Sequence, residues 1–483
     1  MKNSVLLALV IASPIAASAQ DAQTVDALKK ELQELRQRTE QLEEKLKRLE
    51  TAPARAPVST NAPVIAATPP KDVATSATPS GFSPAAPITM FRTGNSYMNV
   101  SADALFAAGG STARDIQNLQ LGAHDPIQRG FTLQGVEATF DGAVDPFLRA
   151  QANLSLQMNR DAETEFEIEE AWAETTSLPW DLTVRAGQMF TDFGRQNQQH
   201  AHAWNFVDSP LVNARLLGPD GLRNPGARLS WLVPTPFYSE WSVSVQNSAG
   251  ETASSFRFEH DGEPFLGRLN RNGNVRGPGD LLFATHYQFS FDLTPEQTLL
   301  AGVSGATGPN ASSASSDTQI YGVDLFWKWK PTTHSYGFPF VTFQTEAMLR
   351  HYQAGAFSED FNGDGVIDAD LNNNGVIDSV PRELLKDWGF YSQLAWGFKK
   401  GWVTALRFDY VDRLHAGQYE LVYGDDPERA QRWRISPNLT WYPSEFSKIR
   451  LQYNFDEREH IGPDHSVWLQ FEFLLGAHGA HKF

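Results

Sequence analysis

Cysteine is absent from the 483 residues. That excludes disulfides, Cys-ligated zinc, iron–sulfur clusters and thiol nucleophiles, and suits an exported chain that folds without disulfide help. No apolar run reaches the roughly 18 residues that a membrane-spanning helix needs. Basic charge is scarce: 40 Lys and Arg stand against 57 Asp and Glu, a formal −17, which argues against the basic face a nucleic-acid partner requires. Neither a G-x-S-x-G elbow nor an H-E-x-x-H pattern occurs, so nothing points to an enzyme. What is abundant is aromatic: 12% of the chain, including 31 Phe and 13 Trp. Many aromatics without apolar runs fit a membrane β-barrel, whose apolar residues take every second position and are diluted by a polar lumen.

Four segments follow from composition. Residues 1–19 read as a signal peptide, with basic Lys2, a short apolar stretch over 5–12, and small Ala17 and Ala19 before Gln20. Over 20–50, Val25, Leu28, Leu32, Leu35, Thr39, Leu42, Leu46 and Leu49 alternate spacings of three and four, the seam of a coiled coil. In a parallel partner Glu31, Arg38 and Lys45 would each face an opposite charge, Arg36, Glu43 and Glu50. Self-association as a homotrimer is therefore expected, since Leu at both seam positions does not enforce two strands. Residues 51–91 are a Pro/Ala-rich linker, with prolines at 53, 57, 63, 69, 70, 79, 84 and 87; such a composition makes an extended spacer.

From Arg92 to the end, 92–483, the dominant period is two. Phe283, Thr285, Tyr287, Phe289, Phe291 and Leu293 alternate with Ala284, His286, Gln288, Ser290 and Asp292. The pattern predicts sixteen strands: 97–106, 131–141, 147–157, 165–175, 182–190, 227–233, 241–249, 282–293, 298–306, 319–329, 339–352, 388–399, 402–412, 431–442, 448–459 and 466–476. Long connections (107–130, 191–226, 250–281, 353–387) alternate with short ones (142–146, 234–240, 294–297, 400–401), as in outer-membrane barrels with short periplasmic turns. Trp327, Trp329, Tyr410, Trp433, Trp441, Tyr442 and Trp468 near strand ends fit interfacial girdles, and Phe483 supplies an aromatic C-terminus. The expected fold is all-β: a 16-stranded antiparallel transmembrane barrel behind a coiled coil and linker. It would sit in the outer membrane of a Gram-negative bacterium, with membrane lipid around it and the coiled coil in the periplasm.

A sixteen-stranded barrel encloses an aqueous lumen, so passage of small polar solutes or ions is the expected function. The third long connection carries Asp192, Arg195, His200, His202, Asp208, Arg215 and Arg223, with glycines that free it to fold inward as a pore constriction. Inward strand positions hold Arg149, Arg185, Arg228, Arg350, Arg407 and Arg434, but also Glu346 and Asp409, so the sign of any ion preference stays open. His200-x-His202 places two imidazoles on one side of an extended segment, a zinc site that Asp192 or Asp208 could complete. Asp360, Asn362, Asp364 and Asp368 follow the spacing of a calcium loop, and Asp370, Asn372, Asn374 and Asp378 repeat it ten residues later. Leu371 and Pro381 stand where an EF-hand has its bidentate Glu, so the pair is nearer to the calcium repeats of exported proteins.

The architecture resembles the phosphate-selective porin O and P family over the whole chain. That family is known for lysine-rich constrictions; 191–226 contains no lysine, so phosphate selectivity is not carried over. A closer likeness is to proteobacterial proteins called zinc-regulated outer-membrane receptors. It rests on Gly187-Gln188 with Phe193-Gly194-Arg195, on His202-Ala203-Trp204, and on Leu217-Gly218-Pro219-Asp220-Gly221-Leu222-Arg223-Asn224-Pro225-Gly226. It extends to Trp441-Tyr442-Pro443-Ser444-Glu445-Phe446-Ser447-Lys448 and the tail Gly476-Ala477-His478-Gly479-Ala480-His481-Lys482-Phe483. This resemblance implies expression under zinc limitation and TonB-dependent zinc uptake. Two features depart from it: 257–270 keeps only His260, and no plug segment precedes the first strand. A porin-like channel is the expectation, with a zinc receptor as the alternative.

Overall fold

The computed structural model describes residues 87–159, 163–250, 252–257, 265–268, 273, 275–358, 379–423 and 426–476. The signal peptide, the coiled coil, nearly all of the linker, the calcium-loop repeat and the C-terminal tail lie outside the described residues. No helix among the described residues is long and apolar enough to cross a membrane, which says nothing of strands.

Sixteen strands close into a ring. In chain order they are β1 (Ser96–Ser111), β2 (Gly130–Ala143), β3 (Leu148–Met158), β4 (Thr164–Thr175), β5 (Leu182–Phe190), β6 (Arg223–Leu232), β7 (Tyr238–Asn247) and β8 (Leu281–Thr294). The second half is β9 (Gln297–Pro309), β10 (Asp317–Trp329), β11 (Phe340–Ala354), β12 (Glu383–Lys399), β13 (Trp402–Arg413), β14 (Arg432–Ser444), β15 (Ser447–Arg458) and β16 (Gly462–Leu475). Each pairs antiparallel with its neighbour, and β16 closes on β1 from Ser466↔Ser111 to Leu475↔Ala102. A short leading strand, Ile88–Thr93, pairs with the part of β1 beyond that closure, Val100 to Ser96. Ring closure gives every wall strand a neighbour on both sides, although β4 meets β5 only from Ala171 to Glu174.

All sixteen expected segments are strands, and the alternation sorts their faces. Outward positions carry Leu156, Phe166, Val303, Val323, Leu394, Leu406, Leu451 and Val467, all exposed, while Arg350, Arg407, Arg434, Asp409 and Asn454 point in and are buried. On one end of the ring Trp388, Tyr410, Phe408, Trp433 and Phe455 form a band of ring contacts 5.2–6.3 Å apart, and on the other Trp402 stacks on Trp441 at 5.9 Å. Two residues expected in such girdles face inward instead. Trp468 is buried with Ile116 and Val207, where a Cβ on Gly109 would lie 2.6 Å from its ring; Tyr442 packs on Phe206, Ala395 and Ala405. An aromatic near a strand end still obeys the parity of its strand.

Long connections, 112–129, 191–222, 248–280, 355–382 and 414–431, leave from one end of the ring. Most turns at the other end are short, as at 295–296, 400–401 and 445–446. Counted along the long-loop end, 191–222 is the third connection.

Candidate functional site

The third loop lies inside the ring. It leaves β5 at Phe190 and returns to β6 at Arg223, and Asn197 ties both ends: its Nδ2 donates to Thr191 O and Leu222 O at 2.9 Å, and its Oδ1 accepts from Leu222 N at 2.8 Å. Between these ends the loop touches wall strands around the ring. Gly194 N donates to Ser304 Oγ of β9 at 2.9 Å, and Glu346 of β11 caps the next turn, accepting from Arg195 N at 3.0 Å and Gln196 N at 2.6 Å. Gly194 has φ +59, and a Cβ there would sit 2.5 Å from the Glu346 carboxylate, so a side chain at this position would be strained. Farther around the ring Arg450 of β15 donates to Trp204 O at 2.9 Å, and Lys448 to His202 O at 2.5 Å.

Asp208 is the densest anchor, with no exposed side-chain surface (0%). Arg407 Nη2 of β13 reaches its Oδ1 at 2.6 Å; Arg434 Nη1 of β14 and Asn454 Nδ2 of β15 reach its Oδ2 at 3.0 and 2.6 Å. Burial alone would raise the Asp208 carboxyl, but Arg407 and Arg434 outweigh it and hold it below its usual range. Beyond Pro210 the short helix Leu211–Leu216 turns its apolar side chains onto the wall, where Leu211, Val212 and Leu216 join Met348, Tyr391 and Val411. Arg215, at its end, donates to Ala430 O of the 414–431 loop at 2.7 Å; burial lowers its guanidinium to about 10.

The seven residues expected at a constriction therefore divide. Asp192, His200, His202 and Asp208 are buried in partnerships with the wall. Asp192 accepts from His286 of β8 at 3.1 Å and faces Arg228 of β6 at 3.7 Å. Arg195 and Arg215 keep partial exposure, and Arg195 stacks over Phe326 at 4.1 Å. Arg223 opens β6 and is buried, pairing with Glu167 and donating to Glu169 O at 3.1 Å. Partly exposed on the loop are Arg195, Gln198, Gln199, Trp204 and Asn205, together with Arg215 and Asp220. The loop therefore shows two cations and one carboxylate among neutral polar groups.

Among the expected lumen residues, Arg149, Arg185 and Arg228 converge on a single carboxylate, Glu174: Arg149 Nε at 3.0 Å, Arg185 Nε at 2.7 Å and Arg228 Nη2 at 3.3 Å. Arg185 also lies over the Trp172 ring at 3.7 Å. Arg149 keeps a side chain 52% exposed. Arg350 pairs with Asp387 at 2.9 Å and Arg407 with Asp409 at 2.7 Å.

His200 and His202 stack at 5.7 Å, but neither Asp192 nor Asp208 stands with them. Their carboxylates come from the wall. His200 Nδ1 faces Glu169 at 2.9 Å and Glu137 at 3.3 Å, and its Nε2 faces Glu170 at 3.2 Å; His202 Nδ1 faces Asp103 at 3.4 Å and Glu137 at 3.5 Å. A bulge in β4 makes this possible. Asn153 pairs with Glu170 but Leu154 with Ile168, so Glu169 is extra and two consecutive glutamates both turn inward. A second bulge, at Gln134 of β2, brings that side chain to His124 O at 2.6 Å and Val207 O at 2.8 Å. Burial opposes charge on all three loop imidazoles, yet the carboxylates prevail: His200 and His202 are raised, and Glu169 and Asp220 push His124 up to about 9. Sequence reading missed Asp103, Glu169, Glu170, His124 and His286; the doublet Glu169-Glu170, which breaks strand alternation, was the available signal.

No family model matches the chain. A protein of Aquifex aeolicus (strain VF5), itself described as uncharacterized, is 29% identical over 378 residues, which is 74% of this chain and 71% of that protein. Among solved structures, the chain is similar to the outer membrane channel DcaP of Acinetobacter baumannii, with TM-score 0.48 and 11% identity over 79% of this chain and 98% of that one. It is likewise similar to the anion-selective porin from Comamonas acidovorans, at TM-score 0.47 and 8% identity over 79% and 100%.

Proposed function

We propose that the chain is an outer-membrane, porin-like channel through which small polar solutes or ions diffuse passively, filtered by the inward-folded third loop. The observation that carries this reading is the loop 191–222 held inside a closed ring whose exterior is apolar and whose interior is polar. The filter then consists of Arg195, Gln198, Gln199, Trp204 and Asn205 opposite the wall, while the buried charges hold the loop in place. The coiled coil at 20–50 would join three barrels from the periplasmic side.

Planar-bilayer recording of the purified full chain tests the proposal. Steady ohmic current that changes in size when Arg195 is replaced by Trp supports the filter; absence of current overturns the channel. The second reading is an outer-face zinc receptor, favoured by the buried His200 and His202 cluster; zinc accumulation by cells that depends on an energised inner membrane would select it. Calcium at 360–378 would stiffen the sixth outer loop, and calorimetric titration should lose its calcium signal in Asp364→Ala/Asp370→Ala.

A further inference from the structure

We propose that the third loop is fastened to the wall by two resident divalent transition-metal ions, one between His200, Glu169 and Glu137 and one between His202, Asp103 and Glu137, with Glu137 shared. The inference uses the docked position of the loop and not the passage of solute, so it stands or falls apart from the channel reading.

Geometry comes first. Each triad offers one ligand atom per residue, all within 4.8 Å of one another and all from buried residues. A tetrahedral ion with bonds of about 2.0–2.1 Å holds neighbouring ligand atoms about 3.3 Å apart. The four imidazole-to-carboxylate separations are 2.9, 3.3, 3.4 and 3.5 Å. Those of His202 exceed the usual hydrogen-bond distance and match the spacing around a metal. A small cavity lined by Asp103, Glu137, Glu169 and His202 lies at the same place.

The outer shell is built as metal sites are built. His200 turns Nδ1 to the triad while Nε2 faces Glu170 at 3.2 Å, the carboxylate that would fix its tautomer and orientation. Glu137 has Oε1 occupied by Asn153 Nδ2 and by Thr139 Oγ1 at 3.1 Å, which turns Oε2 toward both imidazoles. Charge gives the number of ions. Asp103, Glu137, Glu169 and Glu170 are four buried carboxylates, and the nearby cations have other partners: Lys448 has Glu472, Arg223 has Glu167, Arg185 has Glu174, and His124, 3.7 Å from Glu169, has Asp220 at 3.9 Å. With the imidazoles neutral, as ligation demands, two divalent ions balance the four carboxylates. Mixed nitrogen and oxygen donors without sulfur suit zinc, manganese, iron or cobalt rather than copper(I).

The test uses the full chain in detergent, stripped with a chelator and then given zinc with calcium in excess, so that oxygen-only loops are filled. Elemental analysis should find two zinc per chain. Glu137→Gln should retain none, and Asp103→Asn and His200→Ala should each retain one, with the folded barrel of every variant verified by its heat-modifiable gel mobility. Zinc K-edge absorption should show a nitrogen/oxygen shell with imidazole scattering. One zinc in the wild type would overturn the shared carboxylate. Zinc content unchanged by all three substitutions would overturn the site itself. Conductance measured in chelator reports on the channel reading separately.

Discussion

Replacing Asp208 by Ala removes the acceptor on which three wall strands converge. Its Oδ1 takes Arg407 and, at 3.1 Å, Gln452 Nε2, and its Oδ2 takes Arg434 and Asn454. Breaking a buried ion pair from one side costs about 3–5 kcal/mol because the remaining charge is left without compensation. Here Arg407 keeps Asp409 at 2.7 Å and Arg434 keeps Asp456 at 2.9 Å, so the lower figure applies. About 3 kcal/mol corresponds to roughly a hundredfold shift from docked to released loop. The neighbouring amides report it, since Val207 N donates to Gln452, Ser209 N to Asp125 and Leu211 N to Asp409. Their hydrogen exchange, read by mass spectrometry, should speed up about a hundredfold, and single-channel traces should gain transient states of larger conductance. Asp208→Asn, which keeps an acceptor oxygen, should fall between the two. Exchange and conductance in Asp208→Ala indistinguishable from wild type would refute the assignment of this carboxylate as the anchor.

Three further outcomes follow from the same geometry. Arg149, Arg185 and Arg228 share one glutamate, leaving a local positive excess, so Arg149→Gln should move the reversal potential in a salt gradient toward cation preference; an unmoved potential would show that this cluster does not face the permeating ion. Asp125, between the first and third loops, accepts from Gly122 N at 2.9 Å and Ser209 N at 2.8 Å, while burial and the charge of Asp208 push it from 3.8 up to about 7. A carboxyl whose folded-state pKa is raised stabilises the docked loops fully below its ordinary value and loses that contribution as pH rises through about 7; loop fluctuations in the current should grow between pH 5 and 8, and a flat profile would count against it. Gly194→Val forces a side chain into φ +59 against Glu346, at a cost of about 1–2 kcal/mol for the backbone alone, and should destabilise the turn at Arg195 and Gln196, read as faster amide exchange at those two positions.

The strands were legible because each is half in contact with an apolar surround and half with a polar interior, so the period survives in the sequence. Their ends were less so. β12 begins at Glu383 rather than 388, and β6 at Arg223 rather than 227, because Arg223, Asn224 and Pro225 pair with Phe190, Met189 and Gln188. A turn-like composition of Asn, Pro and Gly is overridden there by a neighbour that offers a ladder. Parity also told which arginines point inward, but parity gives a direction and not a partner. Whether Arg407 meets Asp409 alone or also Asp208 depends on where a loop, 199 positions away in sequence, comes to rest.

The imidazole cluster shows why the interior was the harder part to read. Alternation assigns Glu169 and Glu170 to opposite faces of β4; only the bulge that skips Glu169 in the pairing puts both in the lumen. A bulge stretches and twists its strand at a local cost, and buried carboxylates cost more still when uncompensated. Both costs fall where His200 arrives from the loop, 30 and 31 positions later in the chain. Wall and loop therefore compensate one another: the irregularity in β4 has no reason without the imidazole, and a regular β4 could not turn both Glu169 and Glu170 toward it. Replacing Glu169 alone should loosen the loop more than replacing an equally buried lumen carboxylate whose own partners, Arg432 and Arg434, are both on the wall, such as Asp456.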